Sequence, residues 1–153
     1  MDWLVLAAAL IVWSAALITS FYDFFVLQKA VYDLDAVALL GWVLLPTGIA
    51  IEALARVTLG RYYSYRIRVV AGQPLIQRGI YRRVRHPAYL GTILGCLAMP
   101  LVFHSVYGFA VMLLLIPCLL YRIRIEEARL MASFGKDYEA YMAHTWKLVP
   151  YVY

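Results

Sequence analysis

The sequence predicts an all-α integral membrane protein of about four transmembrane helices, the third and fourth forming a tight hairpin, with cytosolic amphipathic helices toward the C-terminus. Three observations predict it. Of the 153 residues 65% are hydrophobic and only 15% charged, with a mean hydropathy of +0.75, which is too apolar for a soluble domain of this length. Uncharged runs recur at lengths that suit a bilayer of about 30 Å. The charge is also segregated: no Asp or Glu lies between Glu52 and Glu126, while eight arginines fall from Arg56 to Arg85.

Taken in order, Trp3 to about Tyr22 is an uncharged apolar run with aromatic residues at its ends. Met1-Asp2 gives it no positively charged leader, so it reads as a span and not as a cleaved signal peptide. Asp23–Asp35 is a net acidic loop. Ala36 to Ala55 is the second span; Glu52 and Arg56 at its end have the spacing of a local ion pair on one helix face, and a carboxylate in a span is also a functional candidate. Residues 1–55 thus hold two N-terminal spans, and residues 56–153 hold the rest of a single domain, 1–153.

Arg56–Arg85 is the basic segment. Its alternation is too loose for a strand, Arg61, Tyr62 and Tyr63 read as an interfacial belt, and Ala71-Gly72-Gln73-Pro74 breaks what precedes it. From Ala88 to Tyr121 come 34 residues without formal charge, interrupted by His104-Ser105. This is a helical hairpin turning near Phe103–Gly108. Each half is short, so the helices are expected to start within His86-Pro87 and run past Tyr121. Gly91 and Gly95 give one face small enough for close helix approach, and His104 is expected to be solvated at the turn. The tail from Arg122 reads as a further helix ended by Gly135, then an amphipathic helix from Asp137 to Trp146 with Tyr138, Tyr141 and Met142 on one side, lying on the membrane surface. The positive-inside rule puts both termini and the basic loop in the cytosol.

The residues also bound the chemistry. No Gly-rich phosphate loop follows a strand, no nucleophile elbow is present, and His86, His104 and His144 lack metal-ligand spacing, so no metal is expected. Cys96 and Cys118 lie in apolar runs and read as core residues. Flanking lipid spans make membrane and an anionic ligand better partners for the arginines than nucleic acid. What is left is a cytosolic pocket with arginines and His86 on one wall, Glu126 and Glu127 on another, and tyrosines around it. Arg122, one turn before Glu126, is a possible structural partner for these carboxylates. Such a mixture suits a zwitterionic, aromatic, partly cationic molecule such as S-adenosyl-L-methionine (SAM).

Gly79-x-Tyr81, Arg85-His86-Pro87-x-Tyr89-x-Gly91, the uncharged hairpin, Glu126-Glu127 and Phe134-Gly135-x-x-Tyr138-x-x-Tyr141 follow one another in an order that resembles the isoprenylcysteine carboxyl methyltransferase family. The related phospholipid N-methyltransferases share much of this core. The resemblance covers roughly Arg66 to Pro150. It implies an integral-membrane enzyme that converts SAM to S-adenosyl-L-homocysteine while methylating a lipophilic or lipid-modified substrate that enters from the bilayer. It assigns cofactor contacts to Gln73, Pro74, Leu75, Ile76, Tyr81, His86, Pro87, Ala88, Tyr89 and Glu126. Arg122 becomes the catalytic residue facing a substrate carboxylate. Gln73 departs from the pattern, since eukaryotic members tend to have histidine there. The short chain suggests a prokaryotic cytoplasmic membrane. Competing readings are a phospholipid-amine N-methyltransferase, an NADPH-dependent membrane reductase, and a non-enzymatic scaffold whose arginines bind anionic lipid.

Overall fold

A computed structural model of the chain describes residues 2–152 apart from 68, 70 and 71; Arg68 of the basic segment and Ala71 of the expected break therefore lie outside the described residues. The described chain is all-helical. Helix α1 (Asp2–Tyr22) continues into a π-helical turn at Asp23–Leu27, and is followed by α2 (Ala36–Leu59), α3 (Pro87–Val102), α4 (Val106–Leu113), α5 (Leu115–Phe134) and α6 (Lys136–Ala143). Short 3₁₀ turns occupy Gly60–Tyr62 and Gly79–Arg82. Three stretches are long and apolar enough to cross a membrane: Trp3–Leu27, Ala36–Tyr62 and Val106–Phe134. Large apolar side chains on the first two face outward, among them Ile11, Ile18, Val43 and Val57, as lipid-facing helices require. Helix α3 has the same apolar character but only 16 residues.

Local chemistry sets the helix ends. The Asp35 carboxylate accepts from Val37 N and Ala38 N, both at 2.9 Å, and so caps α2. Gly60 ends that helix with φ +53°, a conformation that costs a residue without Cβ little. Pro87 opens α3 at the first helical position, where its missing N–H is no loss. The Ser105 hydroxyl caps α4 by accepting from Gly108 N at 2.9 Å. Gly135, at φ +52°, ends α5 as expected.

Two close approaches assemble the bundle. On α2 the small residues Gly41, Gly48 and Ala55 recur every seventh position and are all buried, and Gly41 and Gly48 face α3. A Cβ on Gly48 would lie 2.6 Å from Gly95 N and 2.7 Å from Gly91 O, and one on Gly91 would lie 2.6 Å from Gly48 O. Backbone therefore touches backbone here. The expected Gly91/Gly95 face is the contact surface, with one refinement: a Cβ on Gly95 itself would meet nothing within 4 Å. Helices α1 and α4 meet where Gly108 faces Ser20.

Several expectations are corrected. The helix from Arg122 is not separate from the fourth apolar run, because α5 is continuous from Leu115 to Phe134 and the chain bends instead at Leu114. His104 is not simply solvated. Its Nε2 is 2.8 Å from Asp35 Oδ1 and its carbonyl accepts from Gln28 Nε2 at 3.1 Å, which ties the acidic loop to the α3–α4 turn. Helix α6 stops at Ala143, and its aromatic face turns inward, with Tyr138 and Tyr141 buried.

Candidate active site

Helices α1, α2, α3, α5 and α6 and the segment between α2 and α3 enclose a cavity of about 730 Å³. The stripe that α5 presents to it is written at helical spacing: Leu115, Leu119, Arg122, Glu126, Leu130 and Phe134. The stripe is apolar at both ends and ionic in the middle. Helix α1 adds an apolar wall of Val5, Leu6, Ala9, Leu10 and Trp13. The polar wall comes from the chain around Tyr63–Ile67 and Gln73–Ile76, from Tyr81, and from the first turn of α3.

The polar groups form one connected set. Arg122 is buried, with 6% exposure, although it is a charged residue midway along an apolar helix. Its Nε donates to the Tyr89 hydroxyl at 2.9 Å, and that hydroxyl donates to Glu126 Oε2 at 2.7 Å. Arg122 and Glu126 are thus joined through Tyr89. Arg122 Nη2 also donates to the Tyr65 carbonyl, and Arg129 Nη1, two turns further on, donates to the Ile67 carbonyl. These guanidinium groups fix the 63–67 segment over the cavity. Arg56 closes the same side, paired with Glu52 and lying over the rings of Tyr63 and Tyr65 at 5.2 and 5.4 Å.

Glu127 faces another way. Its Oε1 is 3.1 Å from Arg85 Nε and 3.3 Å from His86 Nε2, and its Oε2 is 3.1 Å from Lys147 Nζ. Arg85 further donates to the carbonyls of Met142 and Thr145. The backbone of Arg83–His86 pairs with Trp146 and Lys147 through an isolated parallel bridge between Val84 and Trp146. Arg85, Glu127 and the C-terminal segment therefore form a clamp that holds His86 at the cavity edge. The two adjacent carboxylates divide accordingly: Glu126 lines the cavity, and Glu127 belongs to the clamp.

Of the residues singled out in the sequence, Gln73, Pro74, Leu75, Ile76, Tyr81, His86, Ala88, Tyr89, Arg122 and Glu126 all line the cavity. Pro87 does not line it; it is fully buried and starts α3. Lining residues that sequence reasoning missed include Tyr65, Arg129 and the α1 wall. Tyr63, expected in an interfacial belt, and Glu52, expected as an ion-pair partner or a functional carboxylate, also reach the cavity. The phenols outside the spans are held neutral. Burial raises Tyr63 and, together with the nearby Glu126 charge, Tyr81; it raises Tyr138 and pushes Tyr141 up to about 12. At neutral pH they are donors. Among the described residues no group of His, Cys, Asp and Glu could hold a metal ion.

The chain is similar to known proteins. The profile of the isoprenylcysteine carboxyl methyltransferase (ICMT) family matches residues 39–132. A probable protein-S-isoprenylcysteine O-methyltransferase from rice, in both the indica and japonica subspecies, is 31% identical over 119 residues, which are 76% of this chain and 62% of the relative. An uncharacterized Bacillus subtilis protein, YpbQ, is 38% identical over 48 residues, 31% of this chain and 29% of its own. The fold matches the solved structure of the eukaryotic intramembrane Ras methyltransferase ICMT with a TM-score of 0.78 at 20% identity, over 93% of this chain and 52% of that one. The chain spans less than two thirds of the length of the rice relatives and about half of the solved one. A family profile that runs from the first turn of α2 to near the end of α5 covers more than half of the chain, including the first turn of α3 and the ionic stripe of α5, and on that match the chain belongs to the isoprenylcysteine carboxyl methyltransferase family.

Proposed function

We propose that this protein is a SAM-dependent membrane methyltransferase that transfers a methyl group to the carboxylate of a lipophilic, isoprenylcysteine-like acceptor entering from the bilayer. The observation that carries the reading is Arg122. Two of its nitrogens are used by Tyr89 and Tyr65, while its Nη1 is buried without a hydrogen-bond partner among the described residues. A buried, unpaired guanidinium N–H is costly, and a ligand carboxylate relieves it with a charge-assisted bond. Family membership and the names of the rice relatives agree with a methyl-transfer role.

The residues fit the methyl donor as well. The volume, about 730 Å³, lies in the range of small-molecule sites, about 300–1,000 Å³. The polar half offers an acceptor in Glu126, neutral phenols as donors in Tyr81 and Tyr138, and backbone and side chains of Gln73, Pro74, Leu75 and Ile76. His86, Ala88 and Tyr89 complete this side, and Pro87 sets their position by starting α3. When bound, SAM supplies a methyl carbon on a positively charged sulfur, open to in-line displacement. The acceptor carboxylate is already ionised at pH 7 and needs no general base. Held by Glu126, Tyr81 and the Gln73–Ile76 segment, the donor would supply its methyl group to a carboxylate oxygen, with an ester and S-adenosyl-L-homocysteine as the products. Arg122 orients the carboxylate, and Tyr89 holds Arg122 and Glu126 in register. The apolar α1 wall receives the acceptor's chain and excludes water.

In this reading the cavity opens to the cytosol, both termini are cytosolic, α3 is a short fourth span, and residues 1–153 act as one domain. The test is transfer of labelled methyl from SAM to an S-prenylated cysteine and into a membrane-lipid extract. A base-labile labelled product is expected. A base-stable product overturns the carboxylate assignment in favour of an amine or thiol acceptor. Thermal stabilisation by NADPH and not by S-adenosyl-L-homocysteine overturns the methyltransferase reading.

A further inference from the structure

Tyr138 and Tyr141 lie one turn apart on α6, are both buried, and both line the cavity. Their ring centroids are 5.9 Å apart. Their hydroxyls have different fates. That of Tyr141 donates to the Tyr81 carbonyl at 2.6 Å. That of Tyr138, in a residue only 1% exposed, has no hydrogen-bond partner among the described residues. Buried hydroxyls are ordinarily paired, because leaving one unpaired costs the whole of its desolvation. A phenylalanine would fill the same space without that cost, so the packing of α6 does not explain the oxygen. The buried side-chain atoms left without partners among the described residues are Arg122 Nη1 and this hydroxyl, and both residues line one cavity.

We propose that the Tyr138 hydroxyl is a ligand-binding group of this site, donating a hydrogen bond to an oxygen or nitrogen acceptor on the bound methyl donor. The assignment rests on the methyltransferase reading. It names the donor and not the lipophilic acceptor because Tyr138 stands beside Tyr141, which bonds the Tyr81 carbonyl, and so belongs with the polar lining and not with the apolar α1 wall. The charges of Glu127, Arg85 and Glu126 act on its hydroxyl, so the site favours a polar, partly charged group over a hydrocarbon. Burial keeps the phenol protonated at neutral pH and therefore able to donate.

The test compares the detergent-solubilised full chain with its Tyr138→Phe and Tyr141→Phe variants, using S-adenosyl-L-homocysteine as the probe. For Tyr138→Phe the Kd of the probe is expected to rise about three- to tenfold, as for loss of one neutral hydrogen bond. The KM for SAM should rise with it and the KM for the acceptor should not. The unfolding temperature of the ligand-free variant should equal or exceed that of the parent, because an unpaired oxygen has been removed. Tyr141→Phe loses a formed bond and should unfold at a lower temperature. A probe Kd within about twofold of the parent's overturns the proposal, and so does a rise confined to the acceptor KM. A Tyr138→Phe protein that is destabilised or fails to fold also overturns it, since the hydroxyl would then be paired within the protein. If the parent protein does not respond to the probe at all, the methyltransferase reading falls first, a result separate from any behaviour of the variant.

Discussion

The Arg122 guanidinium divides its donors between the fold and the cavity. Nε and Nη2 go to Tyr89 and to the Tyr65 carbonyl, and Nη1 is left over. Lysine keeps the charge but concentrates it on one flexible nitrogen that cannot span these directions. Arg122→Lys is therefore expected to lower kcat/KM for methyl transfer on the order of 100-fold, the loss of one or two charge-assisted bonds. Arg82→Lys, at an exposed position, should leave the rate unchanged. Initial rates with labelled SAM in one detergent decide it; equal losses in the two variants would deny Arg122 its role. This contrast also marks how far single residues were legible. The one-turn spacing of Arg122 and Glu126 puts both on one face of α5, and Tyr89, expected among the tyrosines around the pocket, bonds to each of them. Tyr65 and Arg129 carried no such signal, because their roles come from backbone carbonyls on a segment without regular structure, brought to α5 by tertiary packing.

At the scale of elements, the α2–α3 seam sets the cavity's shape, since Gly91 lies directly beneath Glu52. A Cβ on Gly91 would sit 2.8 Å from Glu52 N and 3.0 Å from its Cβ, so a larger residue displaces both the helix and a cavity-lining carboxylate. Gly48→Ala and Gly91→Ala should each cost about 1–3 kcal/mol by overpacking. At about 2–4 °C per kcal/mol for a chain of this size, the unfolding temperature in detergent should drop by about 2–12 °C. Gly95→Ala meets open space and gains helix propensity, so it should be neutral or slightly stabilising. Destabilisation by Gly95→Ala equal to that of Gly48→Ala would contradict the seam. The sequence announced this face through Gly91 and Gly95, but which glycine is required depends on the rotation of α3, which spacing alone does not give. The hairpin and its turn were legible because charge vanishes over a long run. That the second helix runs past Tyr121 was legible from the shortness of each half; that it continues unbroken to Phe134 was not, because Arg122–Glu127 looks like the end of a membrane span when the cavity that receives its charges is unseen.

Across the whole molecule, the polar end of the cavity is built from phenols that stay protonated together, and this gives the protein an alkaline limit. Tyr63, Tyr81, Tyr138 and Tyr141 lie outside the spanning helices, and burial raises all four above the usual tyrosine value. A phenol whose pKa is higher in the folded than in the unfolded chain contributes stability that is fully present below about pH 10. That contribution is lost as pH rises through the folded values, about 12 for Tyr141, because the unfolded chain then releases protons that the folded chain still holds. The unfolding temperature in detergent should therefore be level from pH 7 to 9 and fall steadily above about pH 10. Tyr141→Phe removes one of these groups together with its bond to Tyr81, so the variant should start lower at pH 8 and fall less steeply above pH 10. A parallel decline in the two proteins would place the alkaline transition elsewhere. Because the same phenols line the site, affinity for S-adenosyl-L-homocysteine should fail over the same pH range as the fold. Loss of affinity well below pH 10, with the fold intact, would mean that a group other than these buried tyrosines governs ligand binding.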